Sequence, residues 1–302
     1  MKHKQTRRRI RDCASDRALY AVVNVLLALM MLLVAYPLLN ILSSSFSSPR
    51  AVSTGRVVLL PVEFSLLGYR TVFAHRLIGI AYRNTIFYSL AGTLINLTMV
   101  LTCAYPLSRR DFPLRSPLMI ACLITMYFSG GLIPSYILMV QLGLINNVWA
   151  MLLPGALSVY NMILTRTYIL SNVPVELLEA SQIDGCSDAR YFTAVLLPLC
   201  KPIIAVVALY SVVGHWNSYF NALIYLNDQQ LFPLQLILRQ ILISSEINPS
   251  DMGDIEGAIA KQGLSDLLKY ALIVVATAPI LCVYPFLQRF FVKGVMIGSV
   301  KG

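Results

Sequence analysis

The sequence has little charge. Only 13% of its 302 residues are Asp, Glu, Lys or Arg, roughly half the share found in soluble domains. By contrast 57% are hydrophobic, and the mean hydropathy is +0.70. This balance excludes an ordinary soluble domain and predicts an integral membrane protein.

Motifs for metal binding, disulfide frameworks and hydrolysis are also missing. The six cysteines show no Cys-x-x-Cys spacing, and the three histidines, His3, His75 and His215, are far apart in the chain. Neither H-E-x-x-H nor G-x-S-x-G occurs, and no span carries a pair of aspartates. We therefore predict no metal ligands and no catalytic residues, which disfavours a membrane enzyme.

Charge is one-sided, with 24 Lys and Arg against 14 Asp and Glu, a formal net charge of +10. In a soluble chain this excess of basic residues would suggest nucleic-acid binding. Here a cluster of basic residues precedes the first apolar run, without interleaved aromatics that could stack on bases: Lys2, Lys4, Arg7, Arg8, Arg9, Arg11 and Arg17. The cluster favours a basic cytoplasmic tail, residues 1–18, over nucleic-acid binding.

Long uncharged runs predict the membrane spans. A helix needs about 20 mostly apolar residues to cross the hydrocarbon core. By this criterion the fold class is all-α, a polytopic membrane protein with six transmembrane helices at about 19–42, 84–108, 117–139, 148–169, 202–226 and 268–290. The polar stretch 141–147 supplies the turn between the third and fourth spans.

The positive-inside rule orients these spans. With both termini in the cytoplasm, most basic residues lie inside, including Arg109, Arg110 and those of the tail 292–302. The arginines between the first two spans oppose this orientation, and there we predict an amphipathic helix over 64–82 on the outer surface. The first span has no small-residue cleavage site after it and exceeds a signal-peptide core in length, so it is interpreted as an uncleaved anchor.

The cytoplasmic loop 170–201 shows a helix-turn-helix pattern. Pro174 suits the first turn of one helix, and Gly185 can end that helix with a positive φ. Ser187 can cap a second helix. In that helix we predict apolar pairs four residues apart, Tyr191 with Val195 and Phe192 with Leu196, before Pro198 ends or bends it.

One motif in this loop resembles a family signature. Glu179-Ala180-Ser181, then three residues, Gly185, nine residues, Val195, one residue and Leu197-Pro198 resembles the pattern E-A-A-x3-G-x9-I-x-L-P of permease subunits of ATP-binding-cassette (ABC) importers. Ser181 replaces an alanine and Val195 an isoleucine. The runs 131–136, 142–147 and 298–302 are similar to the carbohydrate-uptake branch, in particular the maltose-type permease lacking an extra amino-terminal span. The run 214–226 is similar to the subgroup for complex oligosaccharides.

This resemblance implies a multi-subunit sugar importer in a bacterial cell membrane. Its partners would be a second permease subunit, two cytoplasmic ATPase subunits and an extracytoplasmic sugar-binding protein. The chain has no G-x-x-x-x-G-K-[ST], so ATP would be bound by a partner, and this subunit would be neither an enzyme nor a cofactor carrier. The residues implied in ATPase coupling are Glu179, Ala180, Ser181, Asp184, Gly185, Val195, Leu197 and Pro198.

The carboxyl-terminal tail is implied in a second contact with the ATPases. Resemblance to the maltose-type subunit, which ends in the same Val-Lys-Gly, implies that the tail inserts between the two ATPase subunits through Gly298, Val300, Lys301 and Gly302. The alternative is a frayed cytoplasmic end beside the last span.

A competing hypothesis is an autonomous secondary transporter or channel coupled to an ion gradient. Such proteins bury ionisable groups at mid-membrane. The spans here carry almost none, and His215 is the one titratable candidate deep in a predicted helix. The ABC importer is therefore the favoured hypothesis.

The fifth predicted span carries the best candidates for a sugar pathway. Sugars stack on aromatic rings and bond to neutral polar groups. His215, Trp216, Asn217, Tyr219 and Asn221 crowd into this span, with Asn217 and Asn221 four apart. The alternative is that they form hydrogen bonds between helices. The acidic external segment 227–267 is expected to contact the binding protein, or else to be simply a solvated loop.

Overall fold

The computed structural model describes residues 13–245 and 255–298, and these are almost entirely helical. The chain divides into two compact units, Met1–Tyr69 with Ile247–Val274, and Arg70–Glu246 with Val275–Gly302. The described helices are α1 (Ala14–Ser45), α2 (Pro49–Ser53), α3 (Leu67–Ala74), α4 (Ile78–Ser108), α5 (Arg115–Tyr127), α6 (Leu132–Gln141), α7 (Trp149–Leu152), α8 (Val159–Asn172), α9 (Val175–Ile183), α10 (Asp188–Arg190), a π-helix (Tyr191–Leu196), α11 (Leu197–Leu199), α12 (Lys201–Trp216), α13 (Phe220–Tyr225), a 3-10 turn (Gln229–Leu231), α14 (Leu234–Ser245) and α15 (Ile255–Gly298).

In the first unit, α1 extends through a serine-rich stretch that looks like a loop in the sequence. Asn40 and Ser43 explain the extension, because their side chains donate hydrogen bonds to backbone carbonyls of the returning segment 57–59. Ser47 adds a bond from the Val62 amide at 3.0 Å. Earlier in α1 the side chains from Leu19 to Leu33 are exposed in the single chain, which suits a helix facing lipid or another membrane subunit.

In the second unit, α4 is the central helix and packs along α12 and α8. These helices share one apolar core with the end of the EAA loop (the segment 170–201 that contains the Glu-Ala-Ser motif). The buried members of the core are Val100, Ala104, Leu107, Met162, Ile169, Tyr191, Leu196, Cys200, Ile203 and Val207. The EAA loop is thus packed onto the helical bundle at the end of α4.

Several predicted spans are interrupted helices in the structure. The range 117–139 is split into α5 and α6, bent by 112°, around Gly131 with φ +86°. The range 148–169 contains α7 and α8 rather than one helix, because Pro154 and Gly155 (φ +80°) interrupt it. The range 202–226 is split between α12 and α13.

Three described helices are long and apolar enough to cross a membrane: Ser15–Ser45, Ile78–Ser108 and Gln262–Cys282. The number rises to five at most when each bent helix pair counts as one span. The total of six spans therefore stays a prediction. The all-helical membrane fold itself is confirmed.

Two element boundaries differ clearly from the predictions. The amphipathic helix predicted over 64–82 is wrong: α3 ends at Ala74, and α4 already begins at Ile78. The helix that contains the last predicted span, 268–290, is longer than predicted at both ends: α15 starts at Ile255 and continues to Gly298. Most of the predicted tail 292–302 is therefore helical backbone, whereas Val300, Lys301 and Gly302 lie outside the described residues.

Candidate functional site

The first candidate site is the turn of the EAA loop. Pro174 precedes α9, where its missing N–H costs nothing, and α9 runs to Ile183. Gly185 has φ +70°. The Gly185 amide donates to the Gln182 carbonyl at 3.0 Å and the Cys186 amide to the Ser181 carbonyl at 2.9 Å. This pair of bonds is a Schellman motif, which needs a left-handed residue at the position of Gly185.

The two departures from the family pattern fit this geometry. The Ser181 hydroxyl donates to the Leu178 carbonyl at 2.7 Å, so the extra oxygen is satisfied within the helix. Val195, which is one methylene smaller than isoleucine, is partly buried and packs at the margin of the apolar core. The turn geometry of the motif is therefore retained.

The second half of the EAA loop departs from α-helical spacing. After the Ser187 cap, which accepts from the Arg190 amide, residues Tyr191–Leu196 form a π-helix. The residues that share the buried side are consequently Tyr191 and Leu196, five apart. The predicted pairing at a spacing of four was wrong, because it assumed 3.6 residues per turn. The helix also continues past Pro198 to Leu199 and bends by 80° at Cys200.

The surface of α9 is open in the single chain. Glu179, Ala180, Asp184 and Gly185 are exposed, and Ile183 is 86% exposed. A cavity of about 570 Å³ lies between α9 and the end of α4, with Glu176, Glu179 and Gln182 on one side. Leu197 is half-buried and Pro198 is exposed. The loop thus presents carboxylates and apolar side chains together.

The second candidate site is a polar cavity of about 260 Å³ inside the second unit. It lies where two helices are interrupted, between α7 and α8 and between α12 and α13. The described lining contains no Asp, Glu, Lys or Arg; its residues are Asn96, Met151, Pro154, Gly155, Ser158, Asn161, Tyr210, Ser211, Gly214, His215, Ser218 and Asn221. An interrupted helix suits such a place, because the freed backbone groups can face a cavity.

Asn96 carries the clearest unused bonding capacity in this cavity. Its side-chain amide donates to the Ala156 carbonyl at 3.1 Å. Its Oδ1 has no hydrogen-bond partner among the described residues, although only 3% of Asn96 is exposed. An unpaired buried acceptor costs about 1–3 kcal/mol, so the wall of this cavity contains an unsatisfied polar group.

The structure separates the pathway residues that the sequence grouped together. His215 and Asn221 line the cavity. Trp216 is a packing residue: it is 6% exposed, and its Nε1 donates to the Ala276 carbonyl at 2.9 Å. Its ring centroid lies 6.4 Å from that of Tyr82.

Asn217 and Tyr219 sit at the helix break rather than in the cavity wall. Asn217 caps the end of α12, and α13 begins at Phe220, so Asn217 and Asn221 do not share one helix face as predicted. Tyr219 lies beneath the guanidinium of Arg239, 5.1 Å from the ring centroid. Sequence reasoning missed Asn96, which is one of two asparagines in α4.

In the described part of the chain, no three His, Cys, Asp or Glu side chains lie close enough together to hold a metal ion. None of the cysteines in the described residues forms a disulfide.

Comparison with known proteins decides the family. The model of the family described as "Binding-protein-dependent transport system inner membrane component" matches residues 13–297. The chain belongs to this family. It is therefore a permease subunit of an ABC importer, as the EAA motif predicted, and the hypothesis of an autonomous secondary transporter is not supported.

Individual relatives of this permease cover nearly its whole length. The polygalacturonan/rhamnogalacturonan transport system permease protein YtcP of Bacillus subtilis (strain 168) is 38% identical over 271 residues, 90% of this chain and 94% of that protein. Protein LplC of the same organism is 40% identical over 267 residues, 88% of this chain and 89% of that protein.

A solved structure shares the permease fold. A chain from the crystal structure of a bacterial ABC transporter involved in the import of the acidic polysaccharide alginate superposes with a TM-score of 0.82 at 33% identity. The match covers 93% of this permease and 99% of that chain. Membership of this family identifies the permease as an inner-membrane component, and the family description implies a binding-protein partner.

Proposed function

We propose that this permease moves an oligosaccharide from an extracytoplasmic binding protein into the cytoplasm, driven by ATP hydrolysis on partner subunits. The full importer contains a second permease subunit and two cytoplasmic ATPases. Both termini of this subunit lie in the cytoplasm. The observation that carries the proposal is the uncharged cavity at the paired helix breaks, in a chain whose relatives carry glycans.

The EAA loop is the proposed ATPase contact. Glu179 is exposed beside apolar Val175 and Ile183, so α9 offers both charge and apolar area to a cleft of the ATPase. The hydrogen-bonded turn at Gly185 and the packing of Tyr191 and Leu196 make the loop a stiff body. A stiff loop converts movement of the ATPase into movement of the permease helices.

Sugar hydroxyls are the proposed occupants of the cavity. Each hydroxyl both donates and accepts a hydrogen bond, as do the serine, amide and imidazole groups of the lining. Of the lining residues, His215 and Asn221 are the ones proposed to bond these hydroxyls.

Uronate-containing oligosaccharides are the first substrates to test, because YtcP and the alginate transporter are both named for acidic glycans. We would co-express this permease with its partner subunits and binding protein, reconstitute the complex, and screen oligogalacturonides, alginate fragments, arabino-oligosaccharides and neutral sugars. The measurement is stimulation of ATP hydrolysis together with uptake. Equal responses to amino acids or metal ions would rule out a sugar importer.

The cavity makes a residue-specific prediction for the same complex. Asn221→Ala should lower uptake about tenfold or more, because losing one or two sugar hydrogen bonds costs on the order of 1–3 kcal/mol, while basal ATP hydrolysis stays near wild type. Asn217→Ala is the matched control, since Asn217 lies outside the cavity lining. Equal uptake by both variants would move the pathway to the partner subunit.

A further inference from the structure

The EAA loop changes direction at two places along the chain. The helix Asp188–Leu199 meets α12 at the 80° bend around Cys200. The two loop helices meet at the left-handed Gly185. Movement of α9 reaches the spans more directly where a side-chain contact also ties the loop to a span.

Arg109 forms such a contact between the EAA loop and α4. It caps the carboxyl end of α4, and its Nη1 forms an ion pair with the Asp188 carboxylate at the start of the second loop helix. The same Nη1 donates to the Tyr105 hydroxyl at 3.0 Å. Nε and Nη2 form a fork onto Asp111, with Nε 2.9 Å from Oδ1.

Burial distinguishes this cluster from an ordinary surface ion pair. The Arg109 side chain is 13% exposed, although Asp111 and Asp188 are 62% and 67% exposed. The bond to Asp111, followed by those to Tyr105 and Asp188, keeps the pKa of Arg109 above its usual value. In turn the guanidinium holds the pKa of Asp111 below its usual value. The guanidinium bonds Tyr105 and Asp111 at the end of α4 and Asp188 in the loop, so it is well suited to fix the orientation of the loop relative to α4.

Aromatic contacts strengthen the same junction. The Tyr105 ring centroid lies 5.4 Å from that of Phe192 and 6.1 Å from that of Tyr191, both in the π-helix. Close by, the Arg166 Nε donates to the Leu107 carbonyl at 2.8 Å, which joins α8 to the end of α4. The end of α4 thus contacts the EAA loop through an ion pair and through aromatic ring contacts.

We propose that Arg109 is a positioning residue that transmits movement of the EAA loop to α4 through its ion pair with Asp188. The proposal rests on the ATPase-coupling role proposed above for the loop. Arg109 need not touch ATP, sugar or the ATPase for this role. α4 passes the movement on, because it packs along α12 and α8 and carries Asn96 in the cavity wall.

Four variants of the assembled importer test the link: Arg109→Gln, Asp188→Asn, the double variant and Asp111→Asn. Asp111 is the matched control, because it bonds the same guanidinium but lies on the α4 side of the junction, two residues from Arg109. It therefore cannot connect α4 to the loop. Tyr105→Phe, which keeps the ring and loses the hydroxyl, measures what the hydroxyl's bonds to Arg109 and Asp188 contribute.

Two measurements use the complete complex in liposomes. The first is ATP hydrolysed per tritiated oligogalacturonide imported, or per alginate fragment if the wild type imports that instead. The second is hydrogen–deuterium exchange of the backbone amides in Val175–Leu199, which needs no sugar.

We expect Arg109→Gln and Asp188→Asn each to raise ATP use per imported sugar at least threefold and to speed exchange in the loop. The double variant should match either single variant, because both changes remove one shared interaction. Asp111→Asn should stay within twofold of wild type. If the importer with Arg109→Gln does not assemble, the milder Asp188→Asn variant provides the test of the ion pair.

Wild-type coupling in Asp188→Asn, additive effects in the double variant, or an equal loss in Asp111→Asn would each overturn the role of Arg109. Faster exchange with unchanged coupling would also overturn it. Glu179→Lys, assayed in parallel, separates the two proposals. If Glu179→Lys leaves ATP use per imported sugar unchanged, the loop has no coupling role. If Glu179→Lys raises it but Asp188→Asn behaves like the wild type, only the proposed role of Arg109 is wrong.

Discussion

Single residues with unusual backbone geometry give the sharpest expectations for this permease. Gly185 takes a left-handed φ because the Schellman bonds that end α9 require it. Its environment is open, because no described atom lies within 4 Å of the position that a Cβ would occupy. Strain, rather than crowding, is therefore what a substitution there would introduce.

Gly185→Val should raise the local free energy by about 1 kcal/mol or more and reorient the loop, so uptake should fall several-fold while ATP hydrolysis continues. Gly55→Val is the matched control, since Gly55 has φ +69° in an equally open place in the first unit. Both variants would be compared for assembly, hydrolysis and uptake. Equal losses in the two would indicate a general folding defect instead of a coupling role.

Gly92 is constrained by crowding instead. A side-chain carbon at this position of α4 would overlap the ring of His215, which lines the cavity. Gly92→Ala should destabilise the protein by about 1–3 kcal/mol, because the ring has to move, and should reduce uptake several-fold.

Gly79 lies in the same helix, and nothing described is within 4 Å of a side-chain carbon there. Gly79→Ala should therefore be neutral or slightly stabilising, as expected from the higher helix propensity of alanine. Thermal unfolding of the purified complex and uptake would be measured for both variants. Normal behaviour of Gly92→Ala would show that the His215 ring is free to move.

At the scale of elements, one side of α4 is polar and holds a neighbouring turn. The Tyr88 hydroxyl donates to the Leu231 carbonyl at 2.8 Å, and the Asn84 amide donates to the Gln230 and Phe232 carbonyls. The Thr85 hydroxyl accepts from the Leu234 amide at 2.7 Å. These bonds explain why Asn84, Thr85 and Tyr88 are found in a membrane span: their side chains replace water for the backbone of the turn.

Tyr88→Phe should cost about 1 kcal/mol of stability, because it leaves the part-buried Leu231 carbonyl without its donor. It should also speed amide exchange around the 3-10 turn Gln229–Leu231. Tyr160→Phe is the control, because Tyr160 is 59% exposed. Unchanged exchange in Tyr88→Phe would mean that Asn84 and Thr85 suffice to hold the turn.

For the whole molecule, the tail is the proposed second contact with the ATPases. Deleting Gly298–Gly302 should weaken co-purification of the ATPases or raise ATP use per imported sugar, because a contact beyond the EAA loop is lost. A tail with the same residues in scrambled order controls for length and charge. Normal assembly, hydrolysis and uptake in the deletion variant would refute the contact.

The membrane class and the family could be predicted from the sequence because both depend on local features. Low charge and long apolar runs need no tertiary contacts to be recognised. The turn at Gly185 is also local, since its hydrogen bonds span only the residues from Ser181 to Cys186. The spacing of the motif residues along the chain is therefore enough to indicate the permease family and the position of its loop.

The cavity and the Arg109 link were decided only by the tertiary structure. Trp216 and His215 are adjacent in the chain, yet one packs near Ala276 and the other lines the cavity with Asn96, because helix rotation determines which way each side chain points. Likewise Arg109 and Asp188 are 79 positions apart, and only the packing of the loop against α4 brings them together. Composition and spacing contain no information on such angles between helices.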